Sequence, residues 1–214
     1  MSKKWLIRLL LLDLLLVIAH IIWGDKVYIL NLDYERTIPA YYSGLKLVFI
    51  AAVSFFIFNF LANKRKEKPV WLLLSLFFVI LAFDEISELH ENLGDFFLEL
   101  TNNLNIFQQA SFMWLIFLSP IIIGVLVLLF YFLHSLRGQK SFPYILTGII
   151  AFMLVIAAEF FGGMIIKSQP NIYQGVIIFE EFMEKVGASF FVAGLLLIFN
   201  QRFEKKFTPR VDNS

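Results

Sequence analysis

Long apolar runs alternate with short polar connections along the whole chain. A transmembrane helix needs about 20 mostly apolar residues. Six segments of the chain meet this requirement, at residues 5–23, 44–62, 70–91, 110–134, 142–165 and 175–199. The runs are continuous rather than alternating, which indicates helices and not the strands of a membrane barrel. We therefore predict an all-α integral membrane bundle of six transmembrane helices.

The composition supports this fold class and excludes others. Of the 214 residues, 59% are hydrophobic and 16% are charged, whereas a soluble domain is about 45–50% apolar and about 25% charged. These values exclude a disordered chain, a nucleic-acid binder and an ordinary soluble enzyme. The chain has no Cys, which excludes disulfides and thiolate metal sites. We expect one transmembrane domain over residues 1–199, followed by a short basic cytoplasmic tail at 200–214.

Basic residues gather on one side of the predicted membrane. With the N-terminus in the cytoplasm, thirteen of the 18 Lys and Arg residues fall in cytoplasmic segments. Cytoplasmic loops carry an excess of these residues, so the count predicts cytoplasmic N- and C-termini in an inner (plasma) membrane. Thirteen of the 17 acidic residues fall outside or in the outer half, and Asp13 stands alone in the middle. Acids contribute little to orientation, so the outer acids need another role.

The outer acids cluster where the third predicted helix ends and the sixth begins. On a helix with about 100° per residue, Asp84, Glu88 and Glu91 share one stripe, and Glu180 and Glu184 share another. Like charges four residues apart destabilise a helix. Protons, basic side chains or a metal ion would relieve this repulsion.

Four predicted helices deliver ionisable groups to a similar depth. At a rise of about 1.5 Å per residue, His20, Asp84, Glu159 and Glu180 come out roughly 6–9 Å below the outer boundary. Each such group costs about 2.5–3.5 kcal/mol in lipid and normally faces the interior of a bundle. We therefore expect one site in the outer half. Its candidate metal ligands are Asp84, Glu88, His90, Glu91, Glu159, Glu180, Glu184 and His20.

Three motifs follow one another along the chain: Asp-x-Glu-x-x-Ile-Pro at 33–39, Asp-Glu…His-Glu at 84–91 and Glu-Glu-x-x-Glu at 180–184. Together they resemble a family of bacterial six-helix membrane proteins, and the resemblance covers most of the chain. No established activity comes with it, so it supports the topology and the choice of site residues. On this ground Asp33 and Glu35 join the candidates. Glu181 and Asp13 are further polar candidates, although Asp13 could also be an anchor that pairs locally with Arg8.

Carboxylates with one or two histidines suit a divalent cation. Oxygen donors favour Mg, Ca or Mn, and added imidazole admits Fe or Zn. We therefore predict a cation-binding membrane protein, with cation transport or proton-coupled transport as its function. A metal-dependent enzyme acting on a lipid or isoprenoid is the first alternative, with Glu85 or Glu88 as general base. A structural or regulatory membrane protein whose acids are ordinary surface charge is the second. The expected partners are membrane lipid and a cation or small lipid-like ligand, and no nucleic acid.

Overall fold

The computed structural model describes residues 3–24, 26–34, 36–62, 65, 67–100, 110–165 and 169–207. These residues form α-helices with one 3₁₀ turn at Tyr28–Leu30, and they contain no strand, which confirms the all-α class for this part of the chain. The helices are α1 (Lys3–Trp23), α2 (Ile38–Phe56), α3 (Lys68–Ser87), α4 (Leu89–Leu100), α5 (Ala110–Phe117), α6 (Ser119–Ser135), α7 (Phe142–Ile165) and α8 (Pro170–Phe207). A π-helical turn, Ile57–Leu61, extends α2.

Five of these helices are long and apolar enough to cross a membrane, namely α1, α2 with its π-helical turn, α3, α7 and α8. The chain is therefore a membrane protein. The predicted span 110–134 is divided instead, since α5 ends at Phe117 and α6 begins at Ser119 with only 17 residues. Pro120 accounts for the break, because proline has no N–H to continue the hydrogen bonding of α5, whereas in the first turn of a new helix no such bond is needed. Six separate spanning helices are thus not confirmed.

The third predicted span also ends earlier than expected. Its helix α3 stops at Ser87, and Glu88 adopts a left-handed backbone with φ 53° before α4 begins. Residues 84–91 therefore do not form one continuous helix, and the stripe predicted from Asp84 to Glu91 is not formed. The amphipathic helix α4 packs on α5, where the rings of Phe97 and Phe117 stack with centroids 4.2 Å apart.

The core lies where α8 packs on α7, α2 and α3. Phe191 of α8 is fully buried, with its ring centroid 5.0 Å from that of Phe78 on α3. Gly148 of α7 lets the two longest helices approach closely, because a Cβ there would come within 2.6 Å of the Phe191 ring. Small residues at such crossings are typical of helix packing in membranes. This close packing holds the middle of α8 among its neighbours.

Contacts at one end of the bundle identify its basic end. Arg202 near the end of α8 lies 2.9 Å from the Glu67 carboxylate, which precedes α3. The Lys206 ammonium donates to the Phe60 carbonyl oxygen. Helix α8 itself extends to Phe207, beyond residue 200, where the sequence predicted the tail to start. Residues 208–214 lie outside the described part. We call the opposite end, where α3 finishes and α8 begins, the acidic end.

Candidate functional site

A buried ion pair joins three helices near the middle of the bundle. The Lys46 ammonium on α2 lies 2.8 Å from Asp13 Oδ1 on α1. It also donates to the Lys185 carbonyl oxygen at 2.8 Å and to Ser189 Oγ at 3.3 Å, both on α8. The Ser189 hydroxyl donates in turn to Asp13 Oδ2 at 2.7 Å. All three ammonium protons and both carboxylate oxygens have partners, so we interpret this Asp13–Lys46–Ser189 clasp as structural.

The partner of Asp13 is therefore Lys46, and the local pairing with Arg8 is wrong. The Arg8 guanidinium lies instead over the ring of Trp5, 4.9 Å from its centroid. Asp13 is fully buried, and the Lys46 ammonium also lies 4.3 Å from the centre of the Tyr42 ring. A cation placed over an aromatic face gains further electrostatic attraction. The clasp is thus well shielded from its surroundings.

A second buried ammonium lies one helical turn away, toward the acidic end. Lys185 is fully buried, and its Nζ lies 2.6 Å from Oε2 of Glu181, one turn earlier in α8. Glu85 of α3 and Glu184 of α8 lie close enough to interact with this ammonium and with each other. One positive charge therefore stands among three carboxyl groups, which it cannot balance alone.

Two further carboxyl groups meet between α7 and α8. Glu159 and Glu180 lie within hydrogen-bonding reach of each other, and Glu180 also interacts with Glu181 and Glu184. The indole Nε1 of Trp114 on α5 donates to Glu159 Oε1 at 3.2 Å. We call the connected group the glutamate cluster, and its members are Glu85, Glu159, Glu180, Glu181 and Glu184.

Asp84 caps the short helix α4. Its Oδ1 accepts from the backbone N–H of His90 at 2.8 Å, and its Oδ2 lies 3.0 Å from His90 Nδ1. A carboxylate that accepts from the first backbone N–H groups of a helix stabilises that helix. Glu88, at the left-handed position between α3 and α4, is exposed. The neighbouring Glu85 is the α3 residue that reaches the cluster.

His20 anchors the connection between α1 and α2. The Leu32 backbone N–H donates to His20 Nδ1 at 3.1 Å, and Gly24 packs so closely that a Cβ there would lie 2.4 Å from this nitrogen. In the same connection, partial desolvation raises the pKa of the Asp33 carboxyl, and the nearby His20 opposes that rise. Asp33 also interacts electrostatically with Glu181. The connection therefore faces the glutamate cluster.

The structure thus unites some of the predicted site residues and separates others. Glu85, Glu181 and Glu184 interact around Lys185, and Glu180 interacts with Glu159. Asp84 instead pairs with His90, whose ring packs edge-on against that of Trp114 with centroids 5.2 Å apart, and Glu88 is exposed. Glu35 and the side chain of Glu91 lie outside the described part. In the part of the chain that is described, no three His, Asp or Glu side chains are placed to hold a metal ion. Metal binding therefore has no structural support here, and both the divalent cation and the metal-dependent enzyme stay predictions.

Sequence reasoning missed three polar residues that organise the site, namely Lys46, Ser189 and Trp114. A signal existed for Lys46, because a lysine within an apolar span requires a buried acidic partner, and Asp13 was the acid without an obvious one. Ser189 and Trp114 gave no comparable signal, since serine and tryptophan are ordinary residues of membrane helices. Their roles depend on contacts 176 and 45 residues away in the chain.

Comparison with known proteins identifies a family but no activity. No curated protein and no solved structure matches the chain. A family described as a domain of unknown function, DUF8692, matches residues 8–199. That match includes the clasp, the glutamate cluster and most of each described helix that could cross a membrane, and it covers more than half of the chain, so the chain belongs to the DUF8692 family.

Proposed function

We propose that this protein is a multi-pass membrane protein that binds protons in its glutamate cluster and serves proton-coupled transport. The observation that carries the proposal is the charge of the cluster. Its five carboxyl groups lie on three helices, and the Lys185 ammonium interacts with three of them, Glu85, Glu181 and Glu184. The nearby Lys46 ammonium also interacts with Glu184, but it is already paired with Asp13. Each uncompensated charge in the membrane costs about 2.5–3.5 kcal/mol on insertion scales. Bound protons remove that cost.

We further propose that one proton is shared between Glu159 and Glu180. An ionised carboxylate can only accept hydrogen bonds, so two carboxyl groups bond to each other only when one of them is protonated. The Trp114 N–H donates to Glu159 Oε1, so Glu159 already acts as a hydrogen-bond acceptor in this contact. We therefore assign the shared proton to Glu180.

Protons suit this arrangement better than a divalent cation does. A divalent cation needs several oxygen ligands that converge on one point. Here the Lys185 ammonium occupies Oε2 of Glu181, and the Trp114 N–H occupies Oε1 of Glu159. Both donors would also repel an incoming metal ion. The divalent cation therefore becomes the competing ligand in the test below.

The distribution of basic residues supports an orientation of the chain in the membrane. We propose six crossings, with α5 and α6 completing one of them together, in the plasma membrane with both termini in the cytoplasm. The 13-to-5 distribution of the 18 basic residues supports this orientation. The glutamate cluster then faces the outside, from which it takes up protons.

We expect the purified chain to release protons from the cluster when the solution is made alkaline. A pH-indicator dye measures the number released by the wild type and by Glu180→Gln, which should release one proton fewer. Glu204→Gln is the matched control, because Glu204 is exposed on the same helix and is not a member of the cluster. Equal release from the wild type and Glu180→Gln would contradict the proposal.

The same measurement decides between protons and a divalent cation. Mg²⁺, Ca²⁺, Mn²⁺ or Zn²⁺ is added at neutral pH, with chelator as the control. The proposal predicts no release of protons. Release that depends on Glu180 would instead show that a metal ion displaces the protons, and it would restore the cation-binding site predicted from the sequence.

A further inference from the structure

A second feature of the molecule is a groove on the surface that α7 and α8 present to the membrane. It has a volume of about 450 Å³, within the range of about 300–1,000 Å³ that is typical of ligand pockets. Four large exposed side chains form its rim: Leu154, Phe161, Ile172 and Phe179. Between them lie smaller residues, namely the exposed Ala157 and Gly175 and the buried Ala158.

We propose that this groove binds one acyl chain of a membrane lipid. Both walls belong to helices that are long and apolar enough to cross a membrane, so the groove opens to hydrocarbon. Its lining residues are all apolar, which excludes ordered water, because a buried water needs two to four polar partners. A headgroup would likewise find no partner inside, so the hydrocarbon part of a lipid is the part that fits.

The dimensions favour a single chain over a second copy of the protein. The groove follows α7 from Leu154 to Phe161, which is about 10 Å at 1.5 Å per residue. A stable interface between two proteins buries at least about 1,200 Å², which is more than a groove of this length supplies. A flexible chain can fill a narrow groove without such an area. The inference is independent of proton binding, since it concerns the lipid-facing side of these helices.

Gly175 offers a direct way to fill the groove. A Cβ at this position meets nothing within 4 Å, so Gly175→Leu places its side chain in open space without a clash. Gly124 on α6 is an exposed helical glycine with equally open surroundings, and it lies outside the groove. Gly124→Leu is therefore the matched control. Ala157→Leu provides a second filling variant should Gly175→Leu fail to fold.

The test uses a phosphatidylcholine with a photoactivatable diazirine on one acyl chain, incorporated into nanodiscs with the full chain. We expect labelling of residues 154–161 and 172–179 well above that of α6 in the wild type. It should fall to the α6 level in Gly175→Leu or Ala157→Leu and stay unchanged in Gly124→Leu. Wild-type labelling no higher than on α6, or equal labelling in the filling variants, would overturn the proposal. The proposal would also be overturned if the groove were unlabelled and light scattering gave the molecular mass of a dimer, because a second copy would then be the occupant.

Discussion

Replacing Lys46 with Met should destabilise the protein by about 3–5 kcal/mol, because it leaves the buried Asp13 carboxylate without its cation. The same loss is expected for Asp13→Leu, which leaves the ammonium alone. Asp13 is fully buried, and the clasp ties α1 to both α2 and α8. In α1, only Leu16, Val17 and Ala19 are buried beside it. We therefore expect α1 to detach first. Denaturant titration in mild detergent measures the loss.

The double variant Asp13→Leu/Lys46→Met measures how much of the lost stability comes from the interaction between Asp13 and Lys46. A buried pair replaced by apolar residues of similar volume is often neutral, so the double variant should recover most of the stability that either single variant loses. Glu67→Gln serves as control, because it breaks the half-exposed pair with Arg202 and should cost less than about 1 kcal/mol. Additive losses in the double variant would show that Asp13 and Lys46 do not act as a pair.

Replacing Lys185 with Met should cost about 3 kcal/mol or more at neutral pH, because Glu181 loses the ammonium 2.6 Å from its Oε2. Here the loss should depend on pH. A protonated carboxyl needs no cation, so acidification should restore much of the stability of Lys185→Met relative to the wild type. Thermal unfolding at neutral and acidic pH measures both values.

Two variants test the origin of that loss. Lys185→Met/Glu181→Gln should be more stable at neutral pH than Lys185→Met, since it removes the unpaired charge. Lys205→Met, at an exposed position of the same helix, should behave like the wild type at both pH values. If Lys185→Met loses the same stability at neutral and acidic pH, the lysine acts through packing and not through the charge of the cluster.

The sequence predicts the helical fold well because apolar runs of this length have few other structures available in a membrane. It predicts the breaks less well. Pro120 divides the fourth span, and a proline within an apolar run can either kink a helix or end it. The break at Glu88 has no comparable signal, because a left-handed backbone is rare for glutamate and depends here on the capping of α4 by Asp84.

Predicting the candidate site from the sequence succeeds for depth and fails for direction. Similar depth along the helices identified Glu159 and Glu180, which do meet. Depth does not determine which way a side chain points around its helix, so Asp84 was favoured where its neighbour Glu85 reaches the cluster. The buried Lys46 shows the second limit. Its partners Asp13 and Ser189 lie on other helices, where they are placed by the packing of α1, α2 and α8, which a helical wheel does not contain.

The central claim is that the glutamate cluster holds a proton at neutral pH, and infrared spectroscopy tests it most directly. In nanodiscs at neutral pH, the wild type should show the carbonyl absorption of a protonated carboxylic acid. Glu180→Gln should lose that absorption, and Glu204→Gln should retain it. A wild type whose carboxyl groups are all ionised under these conditions would contradict the account.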